Sequence, residues 1–518
     1  MEKNKFILIL IIIFAIFLRL PQIISDQFPF IFDTGRDILW VRDMVVLKKI
    51  YLIGSWSALS GVFFGPAWYY LLAIPFSLTQ GDPRGGAYLI IFFNLATILI
   101  SYFLGKRIKD DKLGLIFALI LSSSAMIIGI SKFIYSPNLL PFTTIVFVWC
   151  LYESLTETTK VWKYFALAAF MASLNFHFEP ATAIFTSLTL LVFFLWQFKY
   201  LLKPKLIFSS ILAFLIPFVP QIIFELRHQF LQTKSVIGYL SGNNRMEGQL
   251  PFLARIQDRL NKFVELFGGS VLNIPSKWLL ILGLLLILVI IYLVHKSENK
   301  KVKNFIKVNL IVLLTPLVCY IFIFPPELKT WYLYGLTVPY ILLTGLVFYW
   351  LMKRNAMICY ALLALLIFIN SRPDWQLNFI LRKSQIQEKP EILATQKKVI
   401  DWIYEDAKNQ PFSVYVYTPP IYEFHYQYLF WWYAKSKFGY WPEDYSYLPG
   451  KTDYVNFKDK YNELQHQAQP AEKPAFFYLI MEDEPISKRI RSWKNNFTES
   501  RLLFEKQFGP GLVIEKRK

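Results

Sequence analysis

The sequence predicts a mostly α membrane protein: a bundle of about 11–13 apolar helices followed by an α+β domain outside the membrane. Three observations predict it. The 518 residues are 55% hydrophobic and only 18% charged, whereas soluble domains run nearer a quarter charged. Apolar runs of bilayer length recur from residue 6 to residue 370. Beyond 370 the chain turns polar and aromatic, with alternation of the strand type.

The runs lie near 6–24, 86–105, 113–131, 139–155, 161–176, 180–198, 206–224, 277–295, 305–324, 332–352 and 356–370. Each is long and apolar enough to be read as a span. A further run, 62–79, is interrupted by Gly65-Pro66 and Pro75 and reads as a broken or partial crossing. Basic loops follow every second span, at Lys106-Arg107, Lys160 to Lys163, Lys199 to Lys205, His295 to Lys303 and Lys353-Arg354. The positive-inside rule assigns these to the cytoplasm. Met1–Lys5 is also basic, and it shares that side only if 62–79 does not cross fully. The first run has no small-residue cleavage site after Leu18-Arg19-Leu20-Pro21, so an uncleaved signal-anchor is expected. The opposite, extracytoplasmic side then receives loop 25–61, the turns near 132–138, 177–180 and 325–331, loop 225–276 and the tail.

The chain thus divides into a transmembrane module, 1–370, and a soluble domain, 371–518. In the tail, strands are expected at Phe412–Tyr417, Ala475–Met481 and Leu502–Glu505, with a hairpin turn at Gly509-Pro510-Gly511. Helical patterns lie near 390–408 and 485–495. Net charge is +19. In a soluble protein that would suggest nucleic acid; here the Lys and Arg residues gather in short loops and the tail, which points to membrane lipids as partner and no nucleic acid. Cys150, Cys319 and Cys359 lie within apolar runs with no CxxC spacing, so neither a disulfide framework nor a zinc site is expected.

Loop 25–61 holds the most informative cluster, Asp33-Thr34-Gly35-Arg36-Asp37. Charges beside a bilayer are costly unless paired or wet, and they mark sites. If the segment is helical, Asp33, Arg36 and Asp37 share one face. Ile38, Leu39, Val41, Met44 and Val45 suggest a helix lying on the membrane surface. Arg42 and Met44 follow on the same segment, and Gly65-Pro66-Ala67-Trp68-Tyr69-Tyr70 opens the next apolar run.

This order resembles the polytopic GT-C glycosyltransferases, the group with the protein O-mannosyltransferases and the lipid A aminoarabinose transferase. Asp33 matches the family's catalytic Asp, Arg36 the Arg three residues later, Arg42 and Met44 an Arg-x-Met, and 65–70 a Pro-Pro-Leu-Tyr-Tyr stretch. The likeness extends more loosely over 1–370. Three positions depart: Thr34 stands where the family has Glu, Gly65 where some members have a basic residue, and Asn138 where many have Asp. No metal or other cofactor is therefore carried over. The resemblance implies a polyprenyl-phosphate-linked sugar as donor and a glycan, lipid or protein of the cell envelope as acceptor.

The chemistry needs a carboxylate to take the acceptor hydroxyl's proton and cations to meet the developing phosphate charge. Asp33 suits the first task; its bland alternative is a helix N-cap. Asp37 is either a second carboxylate or an ion-pair partner of Arg36 or Arg42. Arg36, Lys132, Arg227 and Lys329 are the candidate phosphate-binding cations. His177, Glu179, Tyr69 and Tyr332 are candidate substrate contacts, although a lone His at such a turn is commonly a hydrogen-bonded interior group. His177-Phe-Glu179 also has the look of a metal pair, without a third ligand nearby. In the tail, Tyr422–Tyr428 and Trp431–Tyr433 read as core packing or carbohydrate stacking, and Glu482-Asp483-Glu484 as a solvated loop. Two other function classes stay open. One is a flippase for a lipid-linked glycan, against which the charges gather at one face rather than mid-span. The other is a non-catalytic envelope-assembly subunit.

Overall fold

The computed structural model describes residues 2–518 apart from 158, 242–249, 275, 297–298, 325, 383–387, 452, 467–473 and 483–486. Helices occupy each of the eleven long apolar runs. Seven helical stretches among the described residues have the length and apolarity of a full crossing, from Glu2–Ile24 (α1) to Ala356–Phe379, and the chain is a multi-pass membrane protein. One expected span is broken: Ser124 ends one helix at Ser123 and caps the next, Ala125–Ile130. Another, Pro204–Arg227, is continuous but tightens to a 3-10 turn at Ile216–Phe218, where Pro217 has no N–H to donate. The interrupted run 62–79 forms only the helix Ala67–Leu78 (α3). At about 1.5 Å per residue it is too short to span about 30 Å of hydrocarbon.

Between α1 and α3 lies Phe32–Val46 (α2). It does not rest on a membrane surface as its apolar residues suggest. Ten of its 15 residues are buried, including Arg36, Asp37, Arg42 and Asp43. The reason is that α2 packs on α3 on one side and on the short helix Phe424–Leu429 of the tail on another. Asp33 is not the N-cap: the helix starts after an extended Ile31, with no side-chain cap.

The last membrane helix runs on through Asn370, Pro373 and Asp374 to Arg382. The sheet that follows has five strands in the order β2-β1-β3-β5-β4. These are β1 (Phe412–Tyr417), β2 (Tyr445–Ser446), β3 (Phe476–Glu482), β4 (Leu502–Gln507) and β5 (Leu512–Arg517). β2 and β3 flank β1 in parallel, while β5 runs antiparallel to β3 and β4. The three expected strands are present, and the Gly509-Pro510-Gly511 turn joins β4 to β5. Helices Leu393–Ala407 and Ser487–Lys494 match the helical patterns, except that 485 and 486 lie outside the described residues.

Two large cores result. One fills the membrane bundle. The other joins Phe28, Phe30, Ile38, Leu39 and Val41 of the first loop to Leu393, Val399, Phe424, Tyr426 and Tyr428 of the tail. Backbone bonds stitch the same junction, with Phe30 N–H donating to the Glu391 carbonyl at 2.8 Å and Leu393 N–H to that of Phe28 at 3.1 Å. Loop and tail are built as one body.

Candidate active site

Within α2, the i, i+3 spacing brings Asp33 and Arg36 together, with Arg36 Nη1 2.9 Å from Asp33 Oδ1. The same guanidinium reaches Asp37 Oδ1 through Nη2 at 2.8 Å and Nε at 2.9 Å. Its face covers the Trp56 ring, 5.2 Å from the centroid. Burial disfavours the charge on Arg36, but Asp37, Tyr69 and Asp33 more than offset it, so the guanidinium is held charged more firmly than usual. Asp37 is 2% exposed and also accepts from Trp68 Nε1 at 2.8 Å. That bond is to Oδ2, while the Tyr69 hydroxyl stands 3.5 Å from Oδ1, the oxygen that Arg36 holds. Asp37 and Tyr69 therefore form the rear of the cluster. Asp33 is its open end, with a third of its side chain exposed.

Asp33 and Arg36 line a cavity of about 660 Å³ at the junction of bundle and tail. One wall is the start of α2, a second is Trp56 to Ala58 of the first loop, and a third is Tyr135 with Trp331 from two turns of the bundle. The fourth comes from the tail: Glu391, Pro419, Pro420, His425 and Glu482. Thr34, the departure from the family's Glu, is fully buried and donates to the Ile134 carbonyl at 3.0 Å, tying α2 to the turn that supplies Tyr135. Gly35 does the same toward the tail. A Cβ there would fall 2.2 Å from His425 N and 2.6 Å from the Phe424 carbonyl carbon.

The remaining expected residues lie elsewhere. Lys132 is buried in an ion pair with Asp374 of the last membrane helix. Arg227 is exposed at the end of Val219–Arg227. Lys329 pairs with Glu327 at 2.6 Å. None of the three lines the cavity. His177 is an interior group: Nδ1 accepts from Ala67 N–H at 3.0 Å and Nε2 donates to the Pro217 carbonyl at 2.9 Å. Both nitrogens are occupied, which leaves neither a substrate contact nor a metal lone pair. Gly65 makes room for that ring, since a Cβ there would stand 2.1 Å from Nδ1; this accounts for the second departure. Glu179 is buried and caps Pro180–Trp196, accepting from Ala181 N–H at 3.2 Å, and burial raises its carboxyl to about 8. Tyr332 borders a separate void of about 20 Å³ between membrane helices, room for a water and not for a sugar. Among the described residues no three His, Cys, Asp or Glu side chains gather as a metal site.

Sequence reasoning misses the tail's wall. Glu482 is not in a solvated loop: it ends β3 with its side chain 12% exposed, 3.5 Å from His425 Nε2. Asp483 and Glu484 lie outside the described residues. His425, in sequence one member of an aromatic cluster, is 3% exposed. The one signal is its polarity inside the run Phe424–Tyr428.

No protein-family model matches the chain, and no curated protein matches it. Solved structures do. ArnT from Cupriavidus metallidurans bound to undecaprenyl phosphate superposes with a TM-score of 0.59 at 10% identity, over 98% of this chain and 97% of that one. The apo state of the same protein gives 0.54 at 10% identity, over 93% and 92%. The chain therefore has the fold of ArnT. The likeness of fold spans bundle and tail together, and so includes the junction at which the Asp33 cavity lies.

Proposed function

We propose that the protein is a membrane glycosyltransferase that moves a sugar from a polyprenyl-phosphate donor to a cell-envelope acceptor on the extracytoplasmic face. The observation that carries this is a half-open carboxylate, Asp33, beside a firmly charged guanidinium, Arg36, in a large cavity at the edge of the membrane bundle. The GT-C fold and the undecaprenyl phosphate bound to ArnT support the donor class. The run of basic loops on the other side supports the orientation.

In the reaction the acceptor hydroxyl oxygen attacks the anomeric carbon and its proton passes to the Asp33 carboxylate, the general base. The bond from that carbon to the phosphate oxygen breaks, and the phosphate leaves with the electron pair. Arg36 is placed by Asp37 and Trp56, and its second role is to meet the leaving phosphate's charge. Asp37 holds Arg36 and is itself held by Trp68 and Tyr69; none of the three touches substrate.

The experiment is a transfer assay with purified protein and a panel of labelled undecaprenyl-phosphate sugars. Asp33-dependent loss of sugar from the lipid, to an acceptor or to water, supports the proposal. Movement of the intact lipid-linked sugar across a vesicle without cleavage overturns it in favour of a flippase.

A further inference from the structure

The cavity's charges do not suit an anionic acceptor. Its charged lining is Asp33, Glu391 and Glu482 against Arg36, with His425 and Tyr135 as further titratable groups, and Arg36 is the cation assigned above to the leaving phosphate, which leaves no lining lysine or arginine for a second anion. The tail's wall holds two polar groups prepared for a ligand. His425 lines the cavity and is more than nine-tenths buried, yet its Nδ1 has no hydrogen-bond partner among the described residues. Glu482 Oε1, 3.5 Å from His425 Nε2 and with the Tyr426 hydroxyl beside its carboxylate, likewise has no hydrogen bond of good geometry there. Both atoms lie just behind the cavity surface; a buried polar atom left unpaired costs free energy, and turning the side chain to meet a ligand hydroxyl would recover that cost. The position is fixed rather than incidental, because Gly35 sets the His425 backbone directly against α2, beside Arg36 and two residues from Asp33.

We propose that His425 and Glu482 form the acceptor subsite, and that it takes an uncharged or amine-bearing carbohydrate rather than a phosphorylated or acidic one. This rests on the glycosyl-transfer reading above. His425 and Glu482 exchange hydrogen bonds with acceptor hydroxyls. The excess of carboxylates favours a cation and disfavours an anion, an effect strengthened in a recessed cleft. The open side of Trp331, with Pro419 and Pro420, offers the apolar surface against which the CH face of a sugar ring packs. The tail thereby recognises the acceptor, and α2 performs the chemistry.

The test uses full-length protein in nanodiscs and reads tryptophan fluorescence, since Trp56 and Trp331 both line the cavity. The probes are methyl glucoside, methyl glucosaminide and methyl glucuronide, with undecaprenyl phosphate titrated in parallel. We expect saturable binding of the neutral and amino glycosides and binding of the glucuronide weaker by about tenfold or more, the scale of one charge-assisted contact. Glu482→Gln and His425→Asn should each weaken the amino glycoside by about tenfold and leave undecaprenyl phosphate affinity and melting temperature unchanged. If His425→Asn lowers the melting temperature, Glu482→Gln and Glu391→Gln decide. Equal affinity for the glucuronide, no binding by any glycoside, or variants that bind as wild type would overturn the subsite. Loss of undecaprenyl phosphate binding alone would strike the donor proposal and leave the subsite standing.

Discussion

Gly35 of the first loop lies against the backbone of His425 in the tail, so closely that a Cβ on Gly35 would sit 2.2 Å from His425 N and 2.4 Å from its Cα. The contact joins segments 390 positions apart in sequence. It explains why α2 is buried rather than laid on the membrane, and it brings the two halves of the cavity into register.

Gly35→Ala is the direct test of that junction. The obstructing atoms are backbone and cannot rotate away, so α2 or the Phe424–Leu429 helix must shift. The expected cost is that of overpacking, about 1–3 kcal/mol. Thermal unfolding of the purified protein should show it as a lower melting temperature, and activity should fall with it. A fully stable, fully active Gly35→Ala protein would mean that the two helices are not in contact.

Much of this is legible in the sequence, for definable reasons. Apolar length reports helices in lipid because the bilayer sets the length, and all eleven runs are helical. The i, i+3 and i, i+4 spacing of Asp33, Arg36 and Asp37 fixes their neighbourhood once the segment is helical. Partners distant in the chain are not legible. Lys132 reads as a free cation because Asp374, 242 positions away, has no local mark. His177 reads as a substrate group because its two bonds go to the backbone of Ala67 and Pro217. The surface placement of α2 fails because periodicity shows that a face is apolar without showing what covers it. Glu482 is misplaced for the converse reason, since a run of acids reads as solvated unless the fold closes over its first member.

Asp33→Asn should abolish transfer. Asn keeps the shape and the contact to Arg36 but cannot take a proton at neutral pH. Expression, membrane insertion and donor binding should be retained, which separates chemistry from folding. The assay is single-turnover transfer from a labelled polyprenyl-phosphate sugar. Activity within about threefold of wild type, under about 0.7 kcal/mol of barrier, would remove Asp33 from the role of base.

Glu179 supplies a pH signature of stability. Burial raises its carboxyl to about 8, above the ordinary 4.5, so the folded protein retains a proton that the unfolded chain loses. Its contribution is therefore fully present below about pH 4.5 and is lost as pH rises through about 8, with a slope of at most about 1.4 kcal/mol per pH unit between the two. Melting temperatures from pH 5 to 9 should fall less steeply in Glu179→Gln than in wild type. Parallel profiles would show that Glu179 is solvated or ion-paired.

The orientation of the whole protein follows from the same junction. Because loop 25–61 and the tail share one core, they must lie on one side, whichever side it is. Single cysteines at exposed positions Ile421 and Leu464 in the tail and at Lys106 and Lys109 between the second and third long apolar runs should label oppositely with an impermeant maleimide on intact cells. The tail positions should react directly and the basic loop only after permeabilisation, as the positive-inside rule requires. Tail cysteines that react only after permeabilisation would place the Asp33 cavity in the cytoplasm. That outcome would exclude an extracytoplasmic acceptor while leaving the shared core intact.

Arg36→Lys tests how the cluster is built. The guanidinium makes three contacts to two carboxylates at 2.8–2.9 Å and faces Trp56. A lysine keeps the charge but has no planar fork, so it cannot reach Asp33 and Asp37 in the same geometry. Losing one charge-assisted hydrogen bond costs about 1.5–3 kcal/mol, or about 10- to 100-fold in rate. Arg36→Gln removes the charge as well and leaves two carboxylates one turn apart with no cation between them, so its defect should exceed that of Arg36→Lys. Comparing kcat/KM for the two, with donor affinity measured separately, decides the role. Two variants that lose stability equally and retain wild-type kcat would make Arg36 a purely structural bridge and leave the leaving phosphate to another cation.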